Sequence, residues 1–365
     1  MQRAFHVGAK IAKPDGVRGS RTAGSRSAWS RARGSAGILW RRARAAAISA
    51  RVIRSVLAGV NLLSRSACAS CAEIAFRRPI RSSPSRREAR TLAVGELTRV
   101  RGRLGEVAVW HWGSGPRVLL VHGWGGHAGR LAAFVSPLLD AGFGVAAFDA
   151  PAHGISDGSL ASLPDFVETV SLVAGVTGSV ALIGHSMGAA ACALAMRFGL
   201  PARGAVLLAP PADPEVYTAR YARYMRLSAD AARSMGERLE RRYGVRFGDL
   251  RLVSGAPSTP VLVVHDRRDP RVPVRDGIAI ARAWPGADLV VTRGLGHHRI
   301  LRDARVIRRS VRFLGRTAAG PLPADWPRAA APRREADPGA PGSARFLKED
   351  REMAQSRASL RRLKL

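Results

Sequence analysis

A serine stands at the centre of Gly184-His185-Ser186-Met187-Gly188, between the apolar run Ser179-Val180-Ala181-Leu182-Ile183 and the small-residue stretch from Ala189 to Met196. The order reads as strand, sharp turn and helix. A serine hydroxyl is a weak nucleophile. It needs an exposed position, a nearby base and donors for the charge that develops on the attacked oxygen. A glycine-flanked bend supplies the exposure, and the backbone N–H groups of a helix start supply part of the donor set. Five such residues recur by chance in a chain with 38 glycines, so the reading depends on partners. Two downstream segments offer them. Val261-Leu262-Val263-Val264-His265-Asp266-Arg267-Arg268-Asp269-Pro270 is a strand that empties into an acidic turn. Leu289-Val290-Val291-Thr292-Arg293-Gly294-Leu295-Gly296-His297-His298 is a strand, a glycine turn and a histidine pair. Either aspartate alone is an ordinary turn residue, and either histidine alone an ordinary loop residue. In the order serine, acid, histidine, each after a strand, they form the set that activates a hydroxyl for acyl transfer.

The elements that must position these groups are legible as apolar runs. Gly105–Trp112 alternates like a half-exposed strand, and Gly113-Ser114-Gly115-Pro116 is a turn. Arg117–His122 is a continuous apolar run of the kind buried on both faces, and Val145–Phe148, the run into Ser186, Gly204–Leu208, Pro260–His265 and Ala287–Val291 are further short apolar strands. Helical patterns over about 128–141, 162–174, 274–284 and 300–315 alternate with them. This predicts an α/β protein with a doubly wound, mostly parallel sheet. Residues 212–256 break the rhythm: Tyr217, Tyr221, Tyr224 and Met225 recur at helical spacing, and the only strand-like run is Leu250-Arg251-Leu252-Val253. The segment is expected to be a short helical cap over the active face.

With these motifs in place the chain resembles an α/β-hydrolase-fold serine hydrolase, esterase- or lipase-like, over about residues 100–316. The resemblance implies the catalytic roles residue by residue. Ser186 would be the nucleophile. His-Asp-Arg-Arg-Asp-Pro-Arg-Val-Pro resembles the family's acid loop and selects Asp269, with Asp266 standing where glycine is usual. The glycine turn selects His297 over His298. His122-Gly123-Trp124-Gly125-Gly126 matches the loop that gives the second oxyanion donor, so the hole would be formed by the backbone N–H groups of Trp124 and Met187. Asp149-Ala150-Pro151-Ala152-His153-Gly154-Ile155-Ser156 resembles a structural loop of the family, with Ala152 in place of a glycine. His122 and His153 are expected to hold loops by hydrogen bonds. No cofactor and no metal is implied, and the partner is a small-molecule acyl substrate, a carboxylic ester by default. The short insertion and Trp124 suggest a modest apolar acyl pocket. The same fold also carries acyltransferases, haloperoxidase-like enzymes and non-catalytic, membrane-associated members.

The formal net charge of +32 belongs mainly to the N-terminal part, where residues 1–104 carry 23 basic and 4 acidic side chains. Nearly all the basic residues are arginine, and together with abundant Ala, Gly and Pro this marks a high-GC, bacterial coding bias rather than a surface built for nucleic acid. Residues 1–90 read as a basic, largely disordered extension. Within it an amphipathic helix falls at about 37–63, and residues 77–90 look like an exposed linker. The helix suits either an accessory arm or peripheral contact with an anionic membrane, and its arginines rule out a spanning segment. No methionine falls between Met1 and Met187, so a second reading starts the native chain near Val52 and makes residues 1–51 translated upstream DNA. The folded domain is placed at 91–316 and a disordered tail at 317–365. Three cysteines, Cys68, Cys71 and Cys192, form neither a disulfide framework nor a zinc set, which fits a reducing, cytoplasmic setting.

Overall fold

The computed structural model describes residues 65–319. The expected helix at 37–63, the question of residues 1–51 and all but the start of the expected tail lie outside the described residues. Eight strands form one sheet in the order β1-β2-β4-β3-β5-β6-β7-β8. They are β1 (Glu96–Gly102), β2 (Gly105–Trp112), β3 (Arg117–Val121), β4 (Gly144–Phe148), β5 (Ser179–His185), β6 (Gly204–Leu208), β7 (Val261–Asp266) and β8 (Asp288–Thr292). β2 runs antiparallel to β1 and β4, and every other pairing is parallel. Strand β1 was not expected. Its sequence, ELTRVRG, buries only Val100, because it is an edge strand.

The central strands are apolar throughout because both faces are covered. Leu119 and Val121 of β3 face one core with Leu182, Leu207 and Val263, whereas Val118 and Leu120 face the other with Ile183, Leu208 and Val264. The first face is covered by the helices Leu163–Thr177 and Met187–Arg197, the second by Val135–Asp140 and Ala304–Thr317. In chain order the helices are α1 (Arg65–Arg77), α2 (Arg86–Ala93), α3 (Val135–Asp140), α4 (Leu163–Thr177), α5 (Met187–Arg197), α6 (Pro214–Tyr224), α7 (Ala229–Tyr243), α8 (Val274–Ala283), α9 (Gly296–Arg299) and α10 (Ala304–Thr317). The helix expected over 128–141 is a 3-10 turn, Ala128–Phe134, running into α3. Among the described residues no helix is long and apolar enough to cross a membrane.

The insertion between β6 and β7 is helical. It consists of α6 and α7 followed by the 3-10 turns Phe247–Leu250 and Leu252–Ser254. The strand-like run at 250–253 makes no strand. Leu250 and Leu252 instead turn into the core under α5 and α8, and the Leu252 carbonyl accepts from Trp284 Nε1 at 2.8 Å.

Residues 77–90, expected as an exposed linker, are mostly exposed, and their last part enters α2. Ser85 and Glu88 form a reciprocal cap that starts α2: Ser85 N–H donates to Glu88 Oε2 at 2.7 Å, and Glu88 N–H to Ser85 Oγ at 3.4 Å. Upstream, α1 lies on α7. Ala69 and Ala72 pack with Ala222, Met235 and Leu239, and the buried Glu73 carboxylate accepts from Arg238 and Arg242. Helix α1 is thus built into the cap, whereas α2 lies on the 3-10 turn Ala128–Phe134 and its Thr91 carbonyl accepts from Trp112 Nε1 of β2.

Candidate active site

The sharp elbow at Ser186 follows from backbone sterics. Ser186 joins β5 to α5 at φ 54°, ψ −121°, a conformation that non-glycine residues rarely hold. The two flanking glycines are obligatory. A Cβ at Gly184 would sit 2.6 Å from Gly188 O and from Ala189 Cα, and one at Gly188 would overlap the Val121 and His122 carbonyls. The elbow is pinned by the Ser186 N–H, which donates to Leu208 O at 2.8 Å. Met187 begins α5, so its N–H belongs to the helix's unpaired first turn.

The loop after β3 passes directly over this elbow. A Cβ at Gly123 would lie 3.0 Å from His185 O and 3.1 Å from Ser186 Cβ, so a larger residue would press on both, and glycine eases this close approach. Trp124 follows between Gly123 and Gly125, which has φ 70°. Histidines fix this loop. His122 Nε2 accepts from the Ala150 N–H at 3.0 Å, which leaves its Nδ1–H to donate to Gly123 O at 2.7 Å. His153 Nε2 accepts from Gly125 N–H at 3.0 Å, and its Nδ1–H donates to Pro151 O at 2.9 Å. Both rings are neutral: burial depresses His122 well below the usual value and brings His153 down to about 4. Asp149 ties the neighbouring loop by accepting from the Ala128 and Ile155 N–H groups, and Ala152 takes φ 66°, a conformation that favours glycine.

Asp269 and His297 are brought together. His297 Nδ1 lies 2.7 Å from Asp269 Oδ2, both side chains being buried. The other carboxylate oxygen accepts from the Arg271 and Val272 N–H groups at 2.8 and 3.0 Å. Burial alone would raise the Asp269 pKa, but the His297 hydrogen bond and the two backbone donors outweigh it and hold the acid below its usual range. Asp269 is therefore a carboxylate that accepts from His297 Nδ1–H, and Nε2 is the ring nitrogen outside that bond.

Asp266 has a different task. Fully buried, it accepts from Thr292 Oγ1 at 2.8 Å, Leu295 N–H at 2.9 Å and Arg268 N–H at 2.9 Å, so it ties the end of β7 to the loop that carries His297. His298 is exposed, with its ring centroid 5.1 Å from that of His297. Two contributors escaped the sequence reading. His185 is buried and pushed down to about 3 by burial and by the neighbouring His297, and its Nε2 lies 2.9 Å from the His297 carbonyl. His265, behind the acid loop, donates Nε2–H to Val272 O at 2.9 Å, with Asp269 Oδ2 at 3.8 Å.

A cavity of about 440 Å³ opens beside Ser186, Trp124 and Met187 and runs beneath α6 and α7. Among known proteins, the profile of the Alpha/beta hydrolase family matches residues 118–309. The chain belongs to that family. A search of curated proteins finds no match. Among solved structures, the Pyrococcus furiosus esterase Pf2001 is similar with a TM-score of 0.52 at 20% identity, over 66% of this chain and 100% of that one. A thermophilic esterase from Thermogutta terrifontis gives 0.47 at 20% identity, over 61% of this chain and 100% of that one. At such identity the likeness is one of fold.

Proposed function

We propose that the protein is a serine hydrolase that cleaves a carboxylic ester through an acyl-enzyme on Ser186. The observation that carries this reading is the 2.7 Å bond from His297 to an ionised Asp269, on a histidine whose backbone is tied to the residue preceding Ser186. His297 Nε2 takes the hydroxyl proton as Ser186 Oγ attacks the ester carbonyl carbon. The oxyanion is received by the N–H groups of Trp124 and Met187. Collapse breaks the bond to the alcohol oxygen, which leaves with the proton from His297. Water then gives a proton to His297, attacks the acyl carbon and releases the carboxylic acid, and the proton returns to Ser186. Solved relatives of the same fold that are described as esterases agree with an ester as substrate.

Ser186→Ala should lower kcat by roughly 10⁴-fold or more with unchanged thermal stability. A fluorophosphonate probe should label the wild-type chain and not the variant. A folded wild-type protein that neither labels nor hydrolyses a panel of esters would remove the proposal.

A further inference from the structure

The segment between α1 and α2 serves no purpose in the reaction as written, yet it is anchored at both ends to parts of the site. Upstream, buried Glu73 is held by Arg238 and Arg242 of α7. Arg77 Nε donates to Tyr243 Oη at 3.1 Å, and that hydroxyl donates to Asp165 Oδ2 at 2.7 Å, so arm, cap and α4 are joined in one chain of bonds. Downstream, the Ser82 N–H and Oγ–H both donate to the Gly125 carbonyl, at 3.2 and 2.6 Å, one residue beyond Trp124, the oxyanion donor of the proposed reaction. Arg81 donates to the Gly154 and Gly158 carbonyls at 3.0 and 2.7 Å. Between these anchors, Phe76 and Ile80 line the cavity that contains Ser186, and the Phe76 ring meets Tyr221 of the cap edge-on at 5.0 Å. Leu239, Phe247 and Leu250 line other parts of that cavity.

We propose that residues 73–85 are a specificity-determining wall of the active site, closing an apolar cavity that selects esters with an extended apolar chain. This rests on the ester-hydrolase reading and adds the substrate class and the element that sets it. The cavity's size suits a small ligand, and its aromatic and aliphatic lining rewards apolar area. Each methylene that enters it should raise kcat/KM about fourfold, the worth of one buried CH₂.

The test uses the full chain and p-nitrophenyl esters from acetate to decanoate. Wild-type kcat/KM should climb with chain length before levelling. Phe76→Trp, which fills the cavity, should reduce the octanoate-to-acetate ratio at least tenfold. Ile80→Trp, at a position 58% exposed and so tolerant of size, should move the ratio the same way if the first variant does not fold. Folded variants with the wild-type ratio would overturn the proposal. Decanoate binding by calorimetry separates the two ideas. If the wild-type chain hydrolyses no ester and resists fluorophosphonate, the hydrolase reading fails. The wall is then judged alone: Ile80→Trp should weaken decanoate binding at least tenfold, and unchanged or absent binding would overturn it.

Discussion

His185 Nε2 donates to the backbone carbonyl of His297 across 2.9 Å, joining the residue just before Ser186 to the residue that would activate it. The rings lie 4.6 Å apart, and burial keeps His185 neutral, so the bond does not depend on charge. His185→Ala should therefore act through the position of His297. We expect kcat to fall about 10- to 100-fold with KM little changed, since a displacement near 1 Å can cost about two orders of magnitude. Steady-state kinetics check this, and a variant with wild-type kcat would show that the bond positions nothing.

The two aspartates of the acid loop should separate stability from activity. Asp269→Asn keeps an acceptor for the Arg271 and Val272 N–H groups but no longer fixes the Nδ1–H tautomer of His297, so kcat should fall about 10³- to 10⁴-fold with a small change in melting temperature. Asp266→Ala strips the acceptor from Leu295 N–H, Arg268 N–H and Thr292 Oγ1, and should cost about 3 kcal/mol in denaturant unfolding. Equal losses of stability in the two variants would contradict this division.

Much of the sheet and the order of Ser186, Asp269 and His297 can be read locally, because each candidate group follows an apolar run; β5 and β7 are such runs buried throughout, whereas β8 is one at the sheet edge with no buried residue. What could not be read depends on distant partners. The α1 sequence places Ala69, Ala72 and Phe76 at helical spacing, but the surface they bury against comes from residues 222–239. The Ser85–Glu88 cap of α2 is a local signal, obscured by the arginines around it. Strand β1 is hidden because its charged and polar residues, in ELTRVRG, leave no apolar run. The division of labour between Asp266 and Asp269 depends on where Thr292 and Leu295 fold back, and His185 gains its partner 112 residues downstream.

The elbow's glycines set a steric limit. At Gly188 a methyl group would enter the space of two backbone carbonyls of the β3 end, Val121 O and His122 O, which cannot yield as a flexible side chain would. Gly188→Ala should push α5 away from β3 and destabilise the fold by about 3 kcal/mol or more. Gly175→Ala, in α4 with nothing within 4 Å of the added methyl, is the control and should be neutral or stabilising by a few tenths to about 1 kcal/mol. Paired urea titrations distinguish them, and a Gly188→Ala midpoint equal to that of the control would refute the packing argument.

Acid stability follows from the buried imidazoles. Burial lowers His127 and His153 from 6.5 to about 4 and His185 to about 3, so near pH 5 all three are neutral in the fold and cationic once unfolded. Their contribution is full above pH 6.5 and is lost as the pH falls towards those values. Asp149 opposes them: burial raises it from 3.8 to about 6, so the fold holds a proton there that the unfolded chain releases. Three protons gained on unfolding against one released leave a net uptake of two, a slope of about 2.7 kcal/mol per pH unit near pH 5. His122, also depressed by burial, acts in the same direction. A typical domain has about 5–15 kcal/mol to lose, so stability should drop steeply between pH 6.5 and 4.5. Urea midpoints at pH 7, 6 and 5 should decrease in that order, and midpoints that stay level or rise on acidification would mean that these histidines are not held neutral.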